Sequence, residues 1–184
     1  MPPAPRVWRP VAHVAVVGIG NVLNGDDGVG PYAVRVLEAG WELPAEVEVV
    51  DAGTPGGDLA SMLDGASAAV IVDAVNAKGA PGELRRYDRA EILRGAPRLA
   101  MSPHEPGVRE ALLTLDFRGG GPGDVTLLGA IPASVEQATA LTPAVRAAVP
   151  ALVEAVVAEL RRLGLEPRPR AVPLAPDIWW ERPP

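Results

Sequence analysis

The sequence predicts an α/β protein, a three-layer α/β/α sandwich around a largely parallel, five-stranded sheet. Short β-branched apolar runs alternate with segments of helical period, which favours parallel strands joined by crossover helices. One run, residues 68–72, is apolar without a break, as a central strand covered on both faces requires. At 184 residues the chain fits one domain with a sizeable core.

The elements follow in order. Residues 1–11, with four prolines among the first ten, predict an extended arm. The first strand covers 14–17 and stops at Gly18. A helix over about 32–39 follows, with Pro31 suited to its first turn. Residues 46–50 alternate polar and apolar and predict a second strand, with Asp51-Ala52-Gly53-Thr54 as its exit loop. Residues 58–63 predict a short helix with Leu59, Met62 and Leu63 on one face. The strand over 68–72 ends at Asp73, and 83–87 predict a further strand. A helix over 108–115 is followed by the flexible turn Gly119-Gly120-Gly121-Pro122-Gly123 and a strand over 125–131. The last helix spans about 143–163, with Val145, Val149, Leu152, Val156, Leu160 and Leu163 at three- and four-residue spacing. Pro150 should bend it or mark a restart, and Gly164 ends it. Residues 165–184 carry six prolines and the pair Trp179-Trp180, and form a tail, not a domain.

Composition narrows the function. The formal charge of -6 and pI near 5.0 oppose nucleic acid as a partner, because phosphate binding needs a basic surface. No stretch reaches the ~18 apolar residues of a membrane span, and the N-terminus lacks the apolar core of a signal peptide. The expected location is the cytoplasm. There is no cysteine, which excludes disulfides, thiolate nucleophiles and zinc-thiolate sites. With only His13 and His104 present, a metal must be held by oxygen and imidazole.

The segment Gly18-Ile19-Gly20-Asn21-Val22-Leu23-Asn24-Gly25-Asp26-Asp27-Gly28-Val29-Gly30 is the most informative stretch. It places two carboxylates in the loop after the first strand, where open α/β sheets build sites. It lacks the third glycine of the dinucleotide fingerprint and the lysine of a phosphate loop. The glycines instead let the backbone turn sharply and bring the acids against the sheet. Asp51 and Asp73 follow the second and third strands, so the acids are expected to converge along one sheet edge, within a few strand spacings of ~4.8 Å. His104 sits in the proline-stiffened stretch Ser102-Pro103-His104-Glu105-Pro106 and can be aimed at that cluster. Two carboxylates and one imidazole would leave open positions on a divalent ion. Singly, each aspartate is more simply a turn former or cap. Asp58 and Asp64 are read as capping and surface residues, and His13 as structural.

Gly18-Ile19-Gly20-Asn21-Val22-Leu23 with Asp26-Asp27-Gly28-Val29-Gly30, then Val50-Asp51-Ala52-Gly53-Thr54, Ile71-Val72-Asp73-Ala74 and Ser102-Pro103-His104-Glu105-Pro106-Gly107, resemble in order and spacing the hydrogenase maturation proteases. These endopeptidases trim the C-terminus of nickel–iron hydrogenase large-subunit precursors. Leu128-Gly129-Ala130-Ile131-Pro132 and Leu141-Thr142-Pro143 resemble the same family. The resemblance covers 12–164 as a catalytic domain, between the arm of 1–11 and the tail of 165–184. It implies an α/β/α sandwich and a nickel-contacting triad of Asp27, Asp73 and His104. Asp27 stands where the family can carry Glu, one methylene longer. For Asp51 the resemblance implies a loop organiser first and a catalytic helper second.

The implied partner is the precursor of a nickel–iron hydrogenase large subunit, which brings its own nickel. Zinc or cadmium can occupy the site in isolation. The implied reaction is peptide hydrolysis, either metal-assisted or through an aspartic-type carboxylate pair sharing one proton. A non-catalytic nickel-binding chaperone and a small-molecule metallohydrolase are the alternatives. Incubation with loaded precursor separates them.

Overall fold

The computed structural model describes residues 13–95 and 107–182. The arm expected over 1–11 and the stretch bearing His104 lie outside the described residues. Along the chain run β1 (Val14–Ile19), a 3₁₀ turn (Gly25–Gly28), α1 (Val29–Gly40), β2 (Trp41–Glu42) and β3 (Val47–Gly53). A second 3₁₀ turn (Gly56–Asp58), α2 (Leu59–Leu63), β4 (Ala68–Ala74), β5 (Leu84–Asp88) and α3 (Arg89–Leu93) follow. The order ends with α4 (Val108–Phe117), β6 (Asp124–Ala130), α5 (Pro143–Arg162), β7 (Arg168–Pro169) and a 3₁₀ turn (Trp179–Glu181).

The five-stranded sheet has the order β3-β1-β4-β6-β5. Its first four strands pair in parallel, and β5 returns antiparallel to β6. The expected α/β/α sandwich is therefore present, with one antiparallel edge. β1 and β4 carry apolar side chains at successive positions because both their faces are covered. Val14, Val16, Val70 and Val72 pack with Val29, Leu37, Val149 and Leu160 of α1 and α5. Ala15, Val17 and Ile71 pack with Leu59, Leu63, Ile92, Leu112 and Leu115 of α2, α3 and α4.

Local chemistry accounts for the helix ends. At α3, Asp88 Oδ1 accepts from Glu91 N–H (2.8 Å) while Glu91 Oε2 accepts from Asp88 N–H (2.9 Å), a reciprocal capping box. α1 begins at Val29, earlier than the proline at position 31 suggested, because Pro31 still falls in the first turn, where amide donors have no intrahelical partner. α5 runs through Pro150 as one helix. Gly164 (φ +84°) then closes it: Leu165 N–H donates to Leu160 O (3.0 Å) and Gly164 N–H to Arg161 O (2.9 Å), a Schellman motif.

The tail does not hang free. β7 pairs antiparallel with β2, Arg170 N–H donates to Gly40 O (2.8 Å), and Leu174 N–H donates to Ala39 O (2.9 Å). From there the chain runs back along α1 to Trp180, whose ring meets Tyr32 edge-on at 6.5 Å. Ile178 and Trp180 are buried, whereas Trp179 stays outside.

Candidate active site

The site lies at the carboxyl ends of β1 and β4. The chain leaves β1 toward α1 on one face of the sheet, and after β4 its next helices, α3 and α4, cover the other face. Neighbouring strands whose connections part to opposite faces leave a crevice between them, where ligands of open α/β sheets bind. Three glycines let the first loop sink into it. A Cβ on Gly30 would stand 2.1 Å from Ile19 O and 2.4 Å from Val72 O, and one on Gly18 would stand 2.5 Å from Gly30 O. Gly20 (φ +135°) has room for no side chain, since its Cβ would lie 1.8 Å from Asp27 O. No side chain fits these gaps, and the backbone bearing Asp27 is thereby held against the strand ends.

The adjacent acids divide their work. Asp26 is completely buried and accepts hydrogen bonds from a connection more than a hundred residues further along. Its Oδ2 accepts from Ala133 N–H (2.8 Å), Ser134 N–H (3.2 Å) and Thr142 Oγ1–H (2.8 Å), and its Oδ1 from Thr142 N–H (2.7 Å). Backbone bonds from Asp26 N–H to Ser134 O (3.0 Å) and Gly25 N–H to Ala138 O (2.8 Å) stitch the same two loops together. Thr142, at the N-cap of α5, thus spends its hydroxyl on Asp26 and makes no side-chain cap. Sequence reasoning assigned Asp26 no role. The only signal was the pairing of a second acid with a Leu141-Thr142-Pro143 helix start, which nothing local connects.

Asp27 is buried in the 3₁₀ turn, which packs against β4, and its Oδ2 accepts from Asn21 N–H (2.9 Å). Burial pushes its carboxyl above the ordinary carboxylate range, against the opposing pull of the Asn21 amide. Burial thus disfavours the charge on this carboxyl, and an arriving cation would favour its anion.

Asp73 is buried within β4, where its Oδ1 accepts from Ala74 N–H (2.7 Å). Asp51 does not join it. Gly18 of β1 stands opposite both Asp51 and Val72, so Asp51 shares a row with Val72 and, by the alternation of the pleat, faces away from Asp73. Val72 packs on the α1 side, and there Asp51 pairs with Arg35 of α1 (3.0 Å) and accepts from Gly53 N–H (3.3 Å). The expected convergence of the acids is corrected in this respect: they share an edge but not a face. Asp51 also lies within β3 and not in its exit loop. His104 lies outside the described residues, and among those described no three of His, Cys, Asp and Glu gather as a metal site. His13 is placed elsewhere, with Nε2 2.9 Å from Glu48 Oε2.

Beside the crevice is a cavity of about 260 Å³ lined by Asn21, Val22, Leu23, Asp51, Trp179 and Trp180, with Gly20, Gly53 and Thr54. Asn21 thus serves both the cavity wall and the Asp27 carboxylate.

Comparison with known proteins gives a consistent result. A family model described as hydrogenase maturation protease matches residues 31–159. The chain is 37% identical over 162 residues to the Hydrogenase 2 maturation protease of Escherichia coli, covering 86% of this chain and 96% of that protein. It is 34% identical over 188 residues to the hydrogenase expression/formation protein HupD of Rhizobium leguminosarum bv. viciae, covering 98% of this chain and 90% of that one. Among solved structures, the hydrogenase-maturating endopeptidase HybD from E. coli superposes with a TM-score of 0.80 at 36% identity, over 86% of this chain and 98% of that chain.

Proposed function

This chain belongs to the hydrogenase maturation protease family, and we propose that it removes the C-terminal extension of a nickel-loaded hydrogenase large-subunit precursor, reading the bound nickel as the sign of loading. It is a peptidase of hydrogenase maturation. Its action on the loaded precursor, its use of nickel and its place in the cytoplasm are our reading. The observation that carries this reading is the pair of buried carboxylates, Asp27 and Asp73, on the two strand ends that bound the crevice.

Asp27, Asp73 and His104 contact the nickel that the precursor brings. A set of two oxygen ligands and one imidazole holds a lone divalent ion weakly, because the imidazole and thiolate donors that nickel and zinc favour are few. An ion already bound by the precursor supplies the remaining donors, so enzyme and substrate complete one coordination shell. The positive charge would favour the anion of Asp27, against the burial that disfavours it. A carboxylate beside the reacting bond takes a proton from the attacking water, and that proton passes to the departing amine, which leaves with the C-terminal extension. Asp51, tied to Arg35, organises the end of β3 and does not touch the reacting atoms.

The test is to incubate chelator-stripped enzyme with nickel-loaded and nickel-free precursor. Shortening of the loaded subunit only is the expected result. Equal cleavage of both, or activity that returns only when metal is restored to the enzyme, overturns the reading. Loaded precursor that is bound but stays intact identifies a chaperone instead. Alanine at Asp27, Asp73 or His104 should abolish cleavage; Asp27→Asn and Asp73→Asn, which keep an oxygen for the Asn21 and Ala74 amides, should do so with the melting temperature within a few degrees.

A further inference from the structure

The tail brings an aromatic wall to the candidate active site, and that wall is built, not adventitious. Glu181 ion-pairs with Arg146 of α5, Arg146 Nη1 donates to Tyr32 Oη (2.8 Å), and the guanidinium lies 5.2 Å from the centre of the Tyr32 ring. Tyr32 in turn meets Trp180, and Trp180 meets Trp179 edge-on at 5.6 Å. This chain of contacts fixes Trp179 although 55% of its surface remains exposed. Leu23, which also lines the 260 Å³ cavity, is 51% exposed. Two large apolar side chains held in water at the lining of one cavity mark a recognition surface more than a folding need.

We infer that this cavity is a substrate subsite that takes an apolar side chain from the C-terminal segment of the precursor. The inference rests on the proposed peptidase reading, which it deepens. Charge selects the occupant: the one acidic side chain in the lining, Asp51, is already paired with Arg35 at 3.0 Å, so the cavity offers no unpaired charge to a cation or an anion. Its large apolar lining residues are Val22, Leu23, Trp179 and Trp180, with Asn21, Thr54 and the paired Asp51 as its polar ones. Position selects the partner: Asn21, which lines the cavity, is also the residue whose backbone N–H is bonded to Asp27, so a side chain seated here belongs to the same peptide that reaches the carboxylates. The tail is then part of the enzyme's specificity, acting through an anchor that excludes water around one inserted group.

The test measures the affinity of the full-length enzyme for purified nickel-loaded precursor by interferometry, with cleavage scored separately on a gel. Trp179→Ala and Leu23→Ser should each weaken binding about tenfold. Phe117→Ser, which removes a side chain 94% exposed at the end of α4, should bind as the parent does. Leu23→Ser leaves the tail untouched, so it decides the matter if Trp179→Ala loosens the strap. Parental affinity in both cavity variants, or an equal loss in Phe117→Ser, overturns the inference. Weakened binding with a precursor that the parent never cuts keeps the subsite and sinks the peptidase reading. Normal cleavage with unchanged affinity does the reverse, and neither binding nor cleavage by the parent overturns both.

Discussion

Replacing Asp26 should cost this protein a large part of its stability, although the residue is not needed to touch substrate. The carboxylate accepts four hydrogen bonds, three of them from main-chain amides of the connection between β6 and α5. A bond to a charged acceptor contributes about 1.5–3 kcal/mol, and the amides left behind in Asp26→Ala would have no acceptor in a buried place. The four do not add, because water enters and the loops relax. The expected loss for Asp26→Ala is therefore about 3–5 kcal/mol, the range for removing one partner of a buried charged network. Against a typical total of about 5–15 kcal/mol, that brings the fold close to its limit. Asp26→Asn gives a sharper test. Its amide oxygen can serve the three donors now on Oδ2, but its NH₂ then faces the Thr142 N–H donor, for a loss of about 2 kcal/mol. Thr142→Val removes only the hydroxyl bond and should lose about 1 kcal/mol. Urea unfolding at neutral pH, followed by circular dichroism, gives all three from the shift in midpoint at constant slope. Parental stability in Asp26→Asn, or a loss in Asp26→Ala no larger than in Thr142→Val, would refute the clamp.

Other expectations concern packing, charge and the tail. Gly30→Ala forces a methyl carbon to 2.1 Å from Ile19 O and should yield insoluble protein or a loss above about 3 kcal/mol in urea unfolding; a soluble variant of parental midpoint would contradict the close approach. Glu159 is pushed up by burial but pulled down further by Arg86 and Arg162, so its carboxyl lies below the ordinary range. Its contribution to stability is complete above the unfolded value of about 4.3 and is lost as pH falls through the lower folded value. Glu159→Gln should therefore flatten the acid limb of a stability–pH curve, and an unchanged limb would refute this. Truncation after Gly164 removes the buried Ile178 and Trp180 and exposes the part of α1 around Tyr32, and should lower the melting temperature by roughly 4 °C or more; an unchanged scanning-calorimetry midpoint would show that the tail adds nothing.

Much of this protein is determined by its sequence alone because the decisive signals are local. The β-branched runs at 14–17 and 68–72 read as strands buried on both faces, and the spacing of Val145, Val149, Leu152, Val156 and Leu160 marks the core-facing side of α5. The Asp26-Asp27 loop was legible for the same reason, since glycines, a strand end and a helix start lie within about a dozen residues. Tertiary structure decided what depends on register and on distant partners. Whether Asp51 faces Asp73 turns on a single residue of offset, because side chains alternate across a strand, and Gly18 opposite both Asp51 and Val72 settles it. Which carboxylate of the pair is the clamp depends on amides at 133, 134 and 142, which only folding brings near. The return of β5 as an antiparallel edge follows from pairing with β6, some forty residues later. The tail follows the same logic: its prolines spoke against regular structure, while its seat along α1 comes from Tyr32, Arg146 and the free carbonyls at Ala39 and Gly40, contacts that exist only once the chain has closed upon itself.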